Sequence, residues 1–222
     1  MTDMPSFGIL CAGKDIKELS LSVRCCSVVS EIMKNGGFSL SGYHTLIACD
    51  DSGSRKMCAD KMYHLCRVCD VLLTIGCDGF SRDDIVPDVT EKLCEGDLAF
   101  FTSNLCGICN IGNYDKGKKR DLSQKFLPTR SRSGILRGRL VLNIRNDEDF
   151  IREILPNLLS AISFAISGLS GKDAAESKKL LCEFEMQFSK IRKDIGEDSA
   201  CAKPCAGGER ISQIKSYLKH KK

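Results

Sequence analysis

The stretch that most limits how this chain can fold is "DVLLTIG", residues 70–76, followed at once by "CDGFSRDD". A strand with one wet face alternates apolar and polar residues. This run is apolar almost throughout, which fits a strand covered on both faces inside a parallel sheet. Gly76 and Gly79 then mark a tight turn, and Asp83 and Asp84 follow just beyond it. The segment reads as strand, turn and helix start. In open α/β sheets that junction is where ligands bind.

The flanking patterns repeat the same unit. "FGILCAG" (7–13) reads as a first strand closed by Gly13. Apolar residues at helical spacing from Leu19 to Met33 predict a helix that "NGG" stops. "YHTLIAC" (43–49) reads as a second strand. Ser52 or Ser54 is placed to cap the next helix, whose stripe runs Cys58, Met62, Leu65, Cys66. Pro87 suits the first turn of a helix after the glycine bend. Residues 103–134 look irregular, and "RGRLVLNI" (137–144) is a further strand. Asn146 or Asp147 caps a long helix carrying Phe150, Ile151, Ile154, Leu155, Leu158, Leu159 and Ile162, with a kink expected at Pro156. The alternation implies an open, mostly parallel α/β sheet with helices on both faces. Composition shifts near residue 170, which divides the chain into an α/β domain (1–169) and a helical, basic extension (170–222).

Composition narrows the function classes. With 42% hydrophobic and 28% charged residues the chain has an ordinary globular make-up, and a net charge of +4 argues weakly for any acidic partner. The start has no basic leader, and the longest apolar run, "LLSAISFAI", falls short of the roughly 18 residues of a spanning helix. A soluble, cytoplasmic protein is the expectation. The 14 cysteines are then reduced thiols, mostly small core residues. The pairs Cys66/Cys69 and Cys106/Cys109 have zinc-like spacing, but Cys69 adjoins the buried strand, and packing is the favoured role. The basic stretch 116–139 has few interleaved aromatics, which argues against a single-strand nucleic-acid platform.

On the rim the residues leave two roles open. A glycine turn opening a helix offers N–H groups to a phosphate. Asp83 and Asp84 stand where a helix begins, so N-capping accounts for them without a ligand. Two carboxylates beside a phosphate repel it unless a divalent cation lies between, and Asp50 is a third acid for the same rim.

The central segment "CDVLLTIGCDGFSRDDIVPDVTEKL" resembles the molybdopterin-binding motif of the MoaB/Mog family, D-x-V-L-T-T-G-G-T-G-x-x-x-R-D-x-T-P-E-A-T. Asp70, Val71, Leu73, Thr74, Gly76, Gly79, Asp84, Pro87 and Thr90 fall in register. "SRSGILRGRLVLNIRNDEDFIREILPNLL" resembles the family's later S-R-x-x-A-G-x-R-G-x-x-L-I-V-N-L-P-G-S-P segment, and the likeness spans residues 7 to about 168. It implies a three-layer α/β/α domain, commonly a trimer or dimer of trimers, that binds molybdopterin. In the active branch, MgATP adenylylates the pterin. By the same resemblance Asp50 and Asp84 are the magnesium-linked catalytic acids. Thr74, Gly76, Asp78, Gly79, Asp83, Ser131, Ser133, Gly134 and Asn143 form the substrate and phosphate set.

Several positions depart from the motif. G-G-T-G has become Gly76-Cys77-Asp78-Gly79, and the arginine before the catalytic acid is Asp83. P-G-S-P is replaced by Arg145-Asn146-Asp147-Glu148. Asp78 is therefore expected to set a carboxylate against phosphate, at a cost of a few kcal/mol if unpaired. A non-catalytic homologue that keeps only the fold is one alternative. The Asp83-Asp84 pair also resembles the CinA-type nucleotide pyrophosphatase domain, which is the other.

Overall fold

The computed structural model describes residues 4–106 and 129–170. Five strands form one sheet: β1 (Ser6–Gly13), β2 (Ser39–Ile47), β3 (Val71–Ile75), β4 (Ser133–Leu136) and β5 (Arg139–Ile144), in spatial order β2-β1-β3-β5-β4. All neighbours are parallel except β4, which runs antiparallel to β5 at the edge. Every residue of β3 is buried, as its unbroken apolar run predicts.

Helices cover both faces. On one side α1 (Ile16–Asn35), α4 (Ala99–Leu105) and α5 (Glu148–Leu169) pack on the alternate set Phe7, Ile9, Cys11, Val71, Leu73, Ile75, Leu140, Leu142 and Ile144. On the other, α2 (Ser52–Leu65) and α3 (Val86–Leu93) pack on Leu10, Ala12, Leu72 and Val141. Cys58, Cys66, Cys69 and Cys77 fill this second layer, and burial pushes the thiols of Cys58 and Cys69 up to about 12. Such groups behave as small hydrophobes. Cys109 and the extension beyond residue 170 lie outside the described residues.

Several boundaries differ from the sequence reading. Asp51, and neither serine, caps α2 by accepting the Ser54 N–H at 2.7 Å. Asp147 caps α5 through the Phe150 N–H at 3.0 Å. Asp83 and Asp84 cap nothing, because α3 begins later, at Val86, with no side-chain cap. The stretch taken as irregular contains the end of α4 and the start of β4. Its hairpin to β5 turns on Arg137 (φ 56°) and Gly138 (φ 73°), the paired left-handed conformation of a two-residue turn. Pro156 stands inside α5 without ending it. That helix also corrects the estimate of apolar length: it is long and apolar enough to span a bilayer by length and composition alone. In the fold its Phe150, Ile154, Leu155, Leu158 and Ile162 are buried in the core.

At the N-terminal end of the sheet Asp70 ties three strands together. Its Oδ2 accepts from both the N–H and the hydroxyl of Ser6 at 2.9 Å, and its Oδ1 accepts from Arg139 at 2.5 Å. Replacing Asp70 with Ala strands these donors and is expected to lower stability by about 2 kcal/mol, read as a lower urea midpoint with unchanged slope.

Candidate functional site

The C-terminal ends of β1 and β3 and the β2–α2 loop converge on the glycine bend. Gly76 has φ 87° and Cys77 φ 52°, two successive left-handed residues that reverse the chain out of β3. No side chain fits at Gly76: a Cβ there would lie 2.4 Å from Ser22 Oγ and 2.5 Å from the Ala12 carbonyl. The Gly76 N–H is spent on the Ile144 carbonyl at 3.0 Å. The N–H groups of Cys77, Gly79 and Phe80 have no protein acceptor among the described residues. Consecutive left-handed and turn residues with unpaired N–H groups make a concavity suited to an anion.

The acids around this bend do different things. Asp50 is exposed, and its Oδ1 is held by Arg55 at 2.7 Å. Its backbone N–H donates to Asp83 Oδ1 at 2.9 Å, which pins the β2–α2 loop to the β3–α3 loop. Asp84 is buried, folded back beneath the bend, with Oδ2 accepting the Ser81 N–H at 2.8 Å. Among the described residues, the second oxygen of Asp50 and that of Asp84 have no protein partner. Carboxylate oxygens of this kind are the ligand type that a hard dication takes.

Asp78 does not stand against the bend as an exposed charge. It is buried, and its carboxylate turns inward to accept the Ser131 hydroxyl at 2.9 Å. Burial pushes its carboxyl up, while the Ser131 hydrogen bond and the Arg145 charge pull it down. The carboxylate foreseen as an unpaired charge against phosphate is thus partnered inside the protein.

Arg130 closes the arrangement from the other side. Its Nε donates to the Gly79 carbonyl at 2.7 Å, one terminal nitrogen to the Asp84 carbonyl at 2.6 Å, and the other to Asp88 at 2.8 Å. Arg55 reaches the same Asp88 at 3.5 Å. Sequence reading counted Arg130 only within a basic stretch and did not single out Arg55. The reach of Arg130 has no local signal, since it depends on contact between distant segments, whereas Arg55 lies five residues beyond the Asp50 it holds.

The remaining expected residues form a buried seam beneath the rim. Asn143 is fully buried; its Nδ2 donates to the hydroxyls of Thr74 (2.8 Å) and Thr90 (3.0 Å), and its Oδ1 accepts the Arg132 N–H at 3.1 Å. Ser133 donates its hydroxyl to the Leu98 carbonyl at 2.9 Å. Gly134 packs on Cys94, whose Cβ a new methyl would meet at 2.5 Å. A cavity of about 300 Å³ opens beside the bend, lined by Asp88, Glu91, Thr102, Cys106, Arg130 and Arg132 among others. Of the residues expected to bind substrate, only Ser131 lines it.

Two outcomes test this arrangement. Asn143→Ala leaves two hydroxyls and an N–H without their amide partner and is expected to cost about 3 kcal/mol in denaturant unfolding. Because the folded-state value of Asp78 is raised, its contribution is full below the ordinary value of 3.8 and is lost as pH rises through the elevated one. Asp78→Asn removes that loss. Its stability relative to the parent is therefore expected to increase between pH 4 and pH 7, and a gap that stays constant contradicts the buried-acid account.

No protein-family model matches the chain. It is 26% identical over 165 residues to a molybdopterin adenylyltransferase of Helicobacter pylori, covering 71% of this chain and 81% of that protein. Its fold is similar to that of the molybdopterin biosynthesis enzyme MoaB from Thermus thermophilus, with TM-score 0.58, 20% identity and 76% and 98% of the two chains covered. The tungsten cofactor synthesizing protein MoaB from Pyrococcus furiosus gives TM-score 0.56 at 15% identity, over 73% and 95% of the chains. At such identities the structural likeness speaks for the fold, and the sequence match and the glycine-bend motif are similar to those of the MoaB/Mog family.

Proposed function

We propose that the protein acts in molybdenum cofactor biosynthesis as a molybdopterin-binding protein, and that it transfers adenylate from MgATP to the pterin's terminal phosphate. The observation that carries this reading is the bond from the Asp50 N–H to Asp83. It joins the two acid-bearing loops beside the Gly76–Cys77 bend, so a cation and an anion have adjoining places. The sequence match to a molybdopterin adenylyltransferase supports the choice of reaction.

In this reading Asp50 and Asp84 hold magnesium through their second oxygens. When bound, the ion offsets charge on the nucleotide phosphates and polarises them toward attack. The bend supplies backbone N–H donors to a phosphate oxygen. The nucleophile is the pterin's own phosphate, so no protein nucleophile is required. Arg130 holds the Gly79 and Asp84 carbonyls, which keeps the bend and the buried acid in one geometry. Thr74, Asn143, Ser131 and Ser133 support the rim from beneath. A soluble, cytoplasmic homo-oligomer, with residues 170–222 as an appendage to the α/β domain, completes the proposal.

A second reading keeps the fold and the pterin site without turnover. It is favoured by the occupied oxygens: Arg55 on Asp50 and the Ser81 N–H on Asp84 both compete with a metal. The deciding measurement is pyrophosphate release by the full chain with MgATP and molybdopterin. Release that needs both substrates, and that falls at least about 100-fold in Asp50→Asn and in Asp84→Asn, supports transfer. Pterin binding without release supports the second reading, and no binding of pterin or MgATP overturns both.

A further inference from the structure

Away from this rim, two histidines meet on the outer side of the edge strand. His44 lies in the middle of β2 and His64 in the last turn of α2. His44 Nε2 is 3.1 Å from His64 Nδ1, with ring planes 66° apart and centroids 5.1 Å apart. Neither ring is buried, so ions in solution reach both.

The two rings share an N–H···N hydrogen bond, and its length also falls in the range that separates two nitrogens on one metal ion. Imidazole nitrogens bind first-row ions at about 2.0–2.1 Å, which sets two ligands about 2.9 Å apart at a right angle and about 3.3 Å apart at the tetrahedral angle. The observed separation falls between these values. The two rings are also held by independent parts of the fold. β2 is fixed by its ladder to β1, where His44 pairs with Leu10, and α2 is fixed by the fully buried Met62 and Leu65. Little backbone ordering remains to be done on binding; a metal takes the place of the proton shared by the two rings, and each ring turns about its side-chain torsions to face it.

The surroundings select the kind of ion. Among the described residues no group of three or more His, Cys, Asp or Glu side chains comes together, so the two rings stand without a third protein ligand of these types. A pair of imidazole nitrogens suits first-row ions that bind nitrogen strongly rather than magnesium, whose ligands are oxygens.

We propose that His44 and His64 form a two-imidazole site for a divalent transition ion of the nickel(II) or copper(II) class, joining edge strand β2 to helix α2. The site is independent of the glycine bend and of any pterin chemistry.

The test is thermal unfolding of the full chain at pH 7.5 with nickel chloride. Only a folded pair presents both nitrogens. The midpoint is therefore expected to rise by about 4 °C at a nickel concentration about tenfold above the dissociation constant. His44→Gln and His64→Gln each abolish the rise while leaving the metal-free midpoint within about 2 °C, because both rings are at the surface. Magnesium chloride gives no rise, and His220→Gln retains the nickel effect. The proposal is overturned if nickel leaves the parent midpoint unmoved. It is equally overturned if the rise survives both His44→Gln and His64→Gln, which assigns the ion to the thiols, or disappears with His220→Gln.

Discussion

The amide of Asn143 is the constraint on which the rest of the rim depends. It sits on the buried face of β5 and bonds at once to β3 through Thr74, to α3 through Thr90, and to the chain entering β4 through Arg132. A buried amide without partners is costly, so each of these elements is held at a distance that satisfies it. With β3 and α3 fixed, the connection between them has little freedom. The left-handed pair Gly76-Cys77 reverses the chain where the Ala12 carbonyl and Ser22 hydroxyl leave no room for a side chain. The anion-sized bend is a consequence of packing beneath it.

Electrostatics then decides what the bend can present to a ligand. Four acids crowd this end of the sheet, yet they are not equivalent. Asp78 is withdrawn onto Ser131, and Asp83 is used to tie down the β2–α2 loop. Asp84 is turned under Gly79, and Asp50 alone is exposed, with Arg55 across it. Arg130 and Arg55 share Asp88 and add two positive charges to the same rim. The balance is thus less hostile to phosphate than the bare sequence suggests, because the added acid is buried while the arginines from distant segments come to the surface.

Much of the fold was legible because it rests on local periodicity. The unbroken apolar run of β3, the helical stripes of α1, α2 and α5, and the cap at Asp147 follow from residues within a few positions of each other. β4 escaped notice because "SGIL" is only four residues long and pairs through a turn whose first residue is Arg137, a side chain uncommon in the left-handed region. The site divided along the same line. The glycine turn and its acids could be read from spacing. The withdrawal of Asp78 and the reach of Arg130 could not, since both are settled by contacts some 50 positions apart in the chain.

Divergence has therefore changed the surface chemistry of the bend more than its backbone. A Thr-to-acid replacement in a phosphate loop is tolerable only if the acid is removed from the ligand's side, and the Ser131 hydroxyl and Arg145 charge provide the place to put it. The arginine of the motif stands one position earlier here, at Arg82, and Arg130 adds a positive charge from another segment while gripping the loop's own carbonyls. The buried acid at Asp78 is thus met by the Ser131 hydroxyl and the Arg145 charge, and the bend is held from outside by Arg130. The same backbone bend can persist while sequence identity falls, because what selects it is the steric closure at Gly76 and the satisfied amide of Asn143, neither of which depends on the side chains that changed.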